Sequence, residues 1–337
     1  MEILFFSANS VLPIIIVIIL GYILRQKNFY SDSFLKTANK LVFRVLLPCY
    51  LFFNIYEIES LESMNVSVLI ACFIAIFVIF ILAFIVICLY TRDNGKRGAL
   101  IQCAFRSNFA IIGVTLAEAM GGIQAVASAA VLSAVSIPLF NILAVITLSV
   151  FSSEKTSVDI KGIFMGICKN PLIIGVCSGI FVVMIRENYL YNAQAGTYIF
   201  TIKENLPFLY KSVKSVSSMA SPLALVVLGG QFSFSAVKEL SKDITVGVLW
   251  RLVITPVLAI GSILLLAKYT DMVYITKADL PAMVALFGSP VAVSSAIMAE
   301  EMKSHGELAR QLVVWTSICS IATMFIAVAI LKAVALI

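Results

Sequence analysis

The chain has 337 residues, 61% of them hydrophobic and only 12% charged, with a mean hydropathy of +1.06. A soluble domain is closer to half apolar and a quarter charged, so this excess excludes a water-surrounded globule and predicts an all-α polytopic membrane protein. The net charge of +6 reports orientation rather than partners in such a protein, and no basic helix or aromatic–basic interleaving points to nucleic acid.

Ten apolar helical spans are predicted in chain order, each needing about 20 residues. They cover roughly 5–25, 33–56, 66–91, 97–121, 124–150, 169–186, 207–236, 244–267, 278–302 and 308–335. The first run, Ile3 to Leu24, lacks a basic leader and a clear cleavage site and reads as a retained span. The seventh opens with Lys211 and Lys214, so its true membrane-crossing part is expected to begin near Ser217. Ser, Glu, Lys and Asp cluster between Phe151 and Lys169. This divides the chain into a first five-helix repeat (1–150), a cytoplasmic linker (151–168) and a second five-helix repeat (169–337).

Basic residues favour one side. Arg25, Lys27, Lys36, Lys40, Arg92, Lys96, Arg97, Lys155, Lys161, Lys169, Lys238, Lys242, Lys303 and Arg310 fall there, whereas Glu57, Glu59 and Glu62 lie opposite with fewer basics. The positive-inside rule makes the first side cytoplasmic and puts both termini outside a cytoplasmic membrane.

The two halves share a motif. Ala104–Met120 aligns without a gap on Leu286–Met302, matching Phe105 with Phe287, Ser107 with Ser289, Ala117 with Ala299 and Glu118 with Glu300. Pro13 and Gly21 of span one likewise match Pro171 and Gly179 of span six. An odd number of spans per half inverts the second copy. Matched apolar segments interrupted by polar and helix-weakening residues are the sequence mark of a carrier's binding site. Span four centres on Arg106, Ser107, Asn108 and Gly113; span nine centres on Gly288, Ser289, Pro290, Ser294 and Ser295. Pro290 has no N–H and clashes with the preceding turn, and a broken helix in lipid must line a cavity or be buried in protein. Half-helix N-termini converging there suit a small anion such as a carboxylate.

Arg106 has two readings: bidentate pairing with an anionic substrate, or snorkelling to the cytoplasmic interface. Asn108 offers donors and an acceptor to substrate or to freed carbonyls. Asn54, Thr115, Glu118, Gln124, Gln231 and Glu300 are secondary or gate candidates, and His305 is expected in a solvated turn. The seven cysteines (49, 72, 88, 103, 168, 177 and 319) form no CxxC pair and stand beside a single histidine, so no disulfide scaffold, metal site or cofactor is expected. No GxxxxGK[ST], HExxH or GxSxG occurs and no nucleophile–base set is recognisable, which disfavours an enzyme. An anion channel or a carboxylate sensor remains the alternative to a carrier. A coupling proton or sodium ion has no recognisable acidic pair to hold it.

Several stretches resemble the auxin efflux carrier family. They are Leu12–Pro13 through Gly21–Tyr22, Asn39–Phe43 to Leu47–Pro48, and Ser107–Asn108 through Ile112–Gly113. Asn170–Leu172, Pro222–Leu225 to Gly229, Arg251–Leu252 to Pro256 and Pro290–Ala299 follow in order. The resemblance implies ten helices in two inverted repeats, with spans four and nine broken and crossing at the substrate site. It further implies an elevator-like transport domain against a scaffold of spans one, two, six and seven, often as a homodimer. Its substrates would be carboxylates: malate, malonate or an auxin-like acid. Where the family pattern reads Gly-x-Pro-Leu, this chain has Gly113–Leu116 without proline, so its break is expected at Gly113 or from packing.

Overall fold

The computed structural model describes residues 2–57, 65–152, 165, 168–192 and 197–333, and they are nearly all helical. Most of the predicted linker, and Glu59 and Glu62, lie outside the described residues. Helix α1 (Glu2–Gln26) covers the first predicted span. The second is tripartite: α2 (Asp32–Leu41), a π-helical turn (Val42–Leu46) and α3 (Leu47–Tyr56). Helix α4 (Val66–Tyr90) follows, then α5 (Asn94–Phe105), a π-helical segment (Phe109–Gly113) and α6 (Val114–Val150). Within α6, Gly122 takes φ 64° and ψ −158°. A side chain rarely tolerates that conformation, and it makes the turn predicted between spans four and five.

The second half begins with α7 (Pro171–Tyr189), capped by Asn170, whose side chain accepts the Leu172 N–H while Pro171 takes the first turn. A hairpin of two-residue strands, β1 (Tyr191–Asn192) and β2 (Thr197–Tyr198), leads to the short α8 (Ile202–Asn205). The seventh predicted span is α9 (Pro207–Ser218) and α10 (Ala220–Gly230), interrupted at Met219. It stops at Gly230, short of the predicted 236, where paired glycines weaken the helix and the short α11 (Ser235–Glu239) starts afresh. Lys214 lies 5.7 Å from the centre of the Tyr210 ring and 6.0 Å from that of Phe53, which gives its charge an aromatic bed. The eighth predicted span is α12 (Ser241–Leu249), a π-helical turn (Trp250–Ile254) and α13 (Thr255–Tyr269). Then come α14 (Asp279–Gly288), α15 (Ser294–Glu301) and α16 (Gly306–Ala333).

The π turns of spans two and eight share a cause. Pro48 and Pro256 each follow one by two residues. A proline ring clashes with the carbonyl four residues earlier, and a wider turn relieves the clash without ending the helix.

Five described helical stretches are long and apolar enough to cross a membrane: Val66–Tyr90, Gln124–Val150, Pro207–Gly230, Ser241–Tyr269 and Gly306–Ile330. Shorter apolar helices, Ile15–Gln26 and Asp279–Gly288, accompany them. Large apolar side chains stay exposed along α4, among them Ile70, Phe73, Ile74 and Phe77, as lipid contact requires. The protein is membrane-embedded and multi-pass.

Helix α1 packs on α10, and α3 on α7. Without a water-driven hydrophobic effect, such contacts depend on small residues that let backbones close. A Cβ built on Gly175 would lie 2.6 Å from the Pro48 carbonyl oxygen, whereas one on Gly261 meets nothing within 4 Å. Gly175→Ala is therefore expected to cost about 1–3 kcal/mol and lower the Tm of the purified protein, with Gly261→Ala neutral or slightly stabilising. Equal Tm values for the two variants would contradict the close α3–α7 contact.

Candidate functional site: the crossing of two broken helices

Helix α5 ends at Phe105 and α14 at Gly288, and the residues that follow them, Arg106 and Ser289, are extended (φ −85°, ψ 110° and φ −63°, ψ 149°). In span nine the cause is local. Pro290 disfavours helical geometry at the residue before it and supplies no N–H. Span four has no proline, and its break comes from pairing. Ser107 lies opposite Val291 in an antiparallel bridge. The Asn108 N–H donates to the Pro290 carbonyl at 2.8 Å, and the Ala292 N–H to the Arg106 carbonyl at 3.4 Å. The Val291 N–H donates to Thr316 Oγ1 at 3.2 Å. Each half-helix end thus satisfies backbone groups that lipid could not. Of the two expected sources of this break, Gly113 and packing, the structure supports packing and corrects Gly113. Gly113 is right-handed helical (φ −66°, ψ −45°), and its missing side chain leaves room for the Phe109 ring.

A cavity of about 60 Å³ opens beside the crossing. Arg106, Ser107 and Asn108 line it from span four, Ser294 from α15, Asn141 from α6 and Ser221 from α10. Leu51, Ile137, Phe140, Leu172 and Ala224 make the apolar wall. Arg106 does not snorkel; it is 3% exposed. Its Nη2 donates to Asn141 Oδ1 and to Ser294 Oγ, both at 2.8 Å, and its Nη1 rests on the Met298 sulfur. The Asn141 amide is itself oriented, because its Nδ2 donates to the Ile137 carbonyl at 2.7 Å. Among the described residues no carboxylate lies within 4.0 Å of Arg106. A buried guanidinium with only neutral partners leaves its charge uncompensated, which is costly. Beside it, Asn108 Nδ2 and Ser107 Oγ are buried without a hydrogen-bond partner. The N-terminal ends of the Phe109–Gly113 segment and of α15 also begin here and add partial positive charge. The arrangement is a small electropositive cavity with spare donors.

The other sequence candidates separate from it. Ser289 Oγ turns back to donate to the Ala285 carbonyl at 2.6 Å. Pro290 contributes its carbonyl to the pairing, and Ser295 Oγ is buried without a partner, away from the cavity lining. Gly113 is not on the lining either. Glu300 accepts from Arg310 Nη1 at 2.9 Å, and Gln231 Oε1 from the same nitrogen at 3.4 Å. Gln124 lines a different cavity of about 280 Å³, with Asp279 and Ser128. Glu118 is exposed. The side chains of Asn54 and Thr115 lie outside the described residues. His305 is half-buried rather than solvated, and its Nδ1 accepts the Leu308 N–H at 3.2 Å, capping α16.

Sequence reasoning missed Asn141, Ser221 and Tyr50 on the lining. Asn141 had a readable signal, a lone amide in the middle of an apolar span. Ser221 sits in a serine-rich stretch and had none.

A search of curated proteins gives no significant match. The membrane transport protein family matches residues 6–165 and 160–328, nearly the whole chain. The match agrees with the apolar multi-helix body and the broken-helix pair, and the chain belongs to this family of membrane transporters, the auxin efflux carrier family.

Proposed function

We propose that the protein is a secondary carrier that moves a small organic anion, a carboxylate, through the cavity at the crossing. The observation that carries this reading is the Arg106 guanidinium, buried with neutral partners only, beside the unpartnered Asn108 Nδ2 and Ser107 Oγ. A carboxylate would supply the missing charge and accept those donors. Malate, malonate and auxin-like acids are the candidate substrates by family resemblance.

The proposed architecture is ten spans in two inverted five-helix repeats, divided at the 151–168 linker. The reciprocal packing of α1 on α10 and α3 on α7 supports a scaffold of spans one, two, six and seven. The remaining spans would move against it as an elevator. Placement in the cytoplasmic membrane with both termini outside follows from the basic-residue bias. Expelling an anion from a negative-inside cell needs no further driving force, since each charge gains about 2.3 kcal/mol per 100 mV; import would require a cotransported cation.

The test is ligand-induced thermal stabilisation of the purified protein across mono- and dicarboxylates, indole-3-acetate included, with and without sodium. Stabilisation by a carboxylate is expected in the wild type. Asn108→Ala, which removes one buried donor, should weaken it about tenfold or more while leaving the unliganded Tm within a few degrees. Wild-type indifference to every carboxylate would overturn the anion reading; undiminished binding by Asn108→Ala would remove Asn108 from the site.

A further inference from the structure

One buried cation belongs to none of the roles given so far. Arg251 sits in the π turn of span eight, is 0% exposed, and lies off the cavity lining. Its acceptors on the crossing are backbone carbonyls. Nε donates to Ser289 O at 2.9 Å, Nη1 to Ala104 O at 3.3 Å, and Nη2 to Leu286 O at 3.2 Å and Phe287 O at 3.0 Å. Ala104 closes the last turn of α5, Leu286 and Phe287 that of α14, and Ser289 is the cap beyond it. One guanidinium therefore clasps the C-terminal ends of both incoming half-helices. Thr255 Oγ1, a neutral donor, shares Ala104 O at 2.8 Å.

The charge arithmetic matters more than the hydrogen bonds. Each helix C-terminus acts as roughly half a negative elementary charge. Two such ends meeting at the crossing sum to about one, which a single guanidinium matches. Left bare, that negative pole would oppose an anion in the cavity on the neighbouring unwound residues. Among the described residues Arg251 forms no ion pair with a carboxylate, so its charge is spent on these carbonyls. A neutral donor such as Thr255 satisfies one carbonyl without cancelling the pole.

We propose that Arg251 is a positioning residue that sets the sign of the potential at the substrate cavity: it neutralises both half-helix C-termini from outside the cavity, so that Arg106 and the half-helix N-termini dominate there. The inference rests on the anion reading above. It goes beyond that reading in giving selectivity for charge to a residue that does not touch the substrate.

The experiment measures, by isothermal titration calorimetry on the purified full chain, binding of malonate and indole-3-acetate against their neutral amides, malonamide and indole-3-acetamide. The readout is the acid-over-amide ratio, which a merely structural role would not move. Arg251→Gln keeps donors but loses the charge, and the ratio should fall about tenfold or more. Arg251→Lys keeps the charge with fewer donors and should hold the ratio within about threefold even if its Tm drops. Thr255→Val removes a carbonyl partner without altering charge and should leave the ratio unchanged.

A folded Arg251→Gln with the wild-type ratio overturns the inference alone. So does a folded Arg251→Lys that loses the ratio, which keeps the test decisive if Arg251→Gln does not fold. Wild-type protein that binds neither these acids nor any other carboxylate overturns the anion reading, and this inference with it.

Discussion

Replacing Arg106 with glutamine should reduce carboxylate affinity by about a hundredfold or more, because truncating one partner of a buried, hydrogen-bonded charge pair costs about 2–5 kcal/mol. The same change should leave the unliganded protein at least as stable as the wild type. Arg106 is held by Asn141, Ser294 and the Met298 sulfur, all neutral. Burying a charge on such terms costs several kcal/mol, and a neutral side chain of similar reach recovers much of that. Opposite signs for binding and stability mark a residue retained for its ligand rather than for the fold. Arg106→Lys should fall between, keeping the charge but losing the planar fork that holds Asn141 and Ser294 through Nη2 and Met298 through Nη1. Calorimetry and Tm on the three proteins check this. A glutamine variant that binds within threefold of wild type, or one that unfolds, would make Arg106 a structural residue.

The second large effect concerns Asp279, at the first turn of α14. Its carboxylate accepts from Asn65 Nδ2 at 2.7 Å, Ser128 Oγ at 2.9 Å, Thr276 N–H at 3.0 Å and Thr276 Oγ1 at 2.7 Å. Asn65 is also the N-cap of α4, and Ser128 belongs to α6. One side chain thus ties the N-terminal ends of α4 and α14 to α6 beyond its Gly122 kink, and it is itself 4% exposed. Thr276 and Asp279 form a reciprocal cap, since the Asp279 N–H donates back to Thr276 Oγ1 at 3.3 Å. Asp279→Ala removes the acceptor shared by four donors at once. A loss of about 3–5 kcal/mol is expected, read as a Tm fall of several degrees with anion affinity in the surviving folded fraction unchanged. A Tm within one degree of wild type would contradict the role given to this cluster.

These two residues show what the sequence disclosed and what it withheld. Long apolar runs bounded by polar residues were readable: Val66–Tyr90 lies where residues 66–91 were expected, and Asp279–Glu301 where 278–302 were. The aligned segments of the two halves also pointed to both interruptions, and Pro290 states its own in the chemistry of one residue. The span-four break does not. Arg106 to Asn108 are held extended by hydrogen bonds to Pro290 and Ala292, in the other half of the chain, and no nearby residue reports that pairing. Gly113 attracted attention because glycine weakens helices, yet it stays helical and serves the packing of Phe109.

Arg251 was visible within a family-like stretch but without a role. Its acceptors are backbone carbonyls, which every residue has, so side-chain pattern cannot say which of them a fold leaves orphaned. Asp279 looked like the edge of an apolar run, and only the arrival of Asn65 and Ser128 from other helices makes it a hub. Asn141 was legible in principle, as an amide with no reason to lie mid-span unless something there needs it.

The central claim, that an organic anion crosses the membrane through the cavity at the helix crossing, is tested most directly by counterflow. Purified protein would be reconstituted into liposomes loaded with unlabelled malonate or indole-3-acetate, and uptake of the labelled acid followed. The account predicts saturable uptake of at least one acid, faster when the membrane potential favours entry of negative charge, and abolished in Arg106→Gln. Flux that never saturates would indicate a pore. Binding in the calorimeter with no counterflow would indicate a sensor, and either result would contradict a carrier.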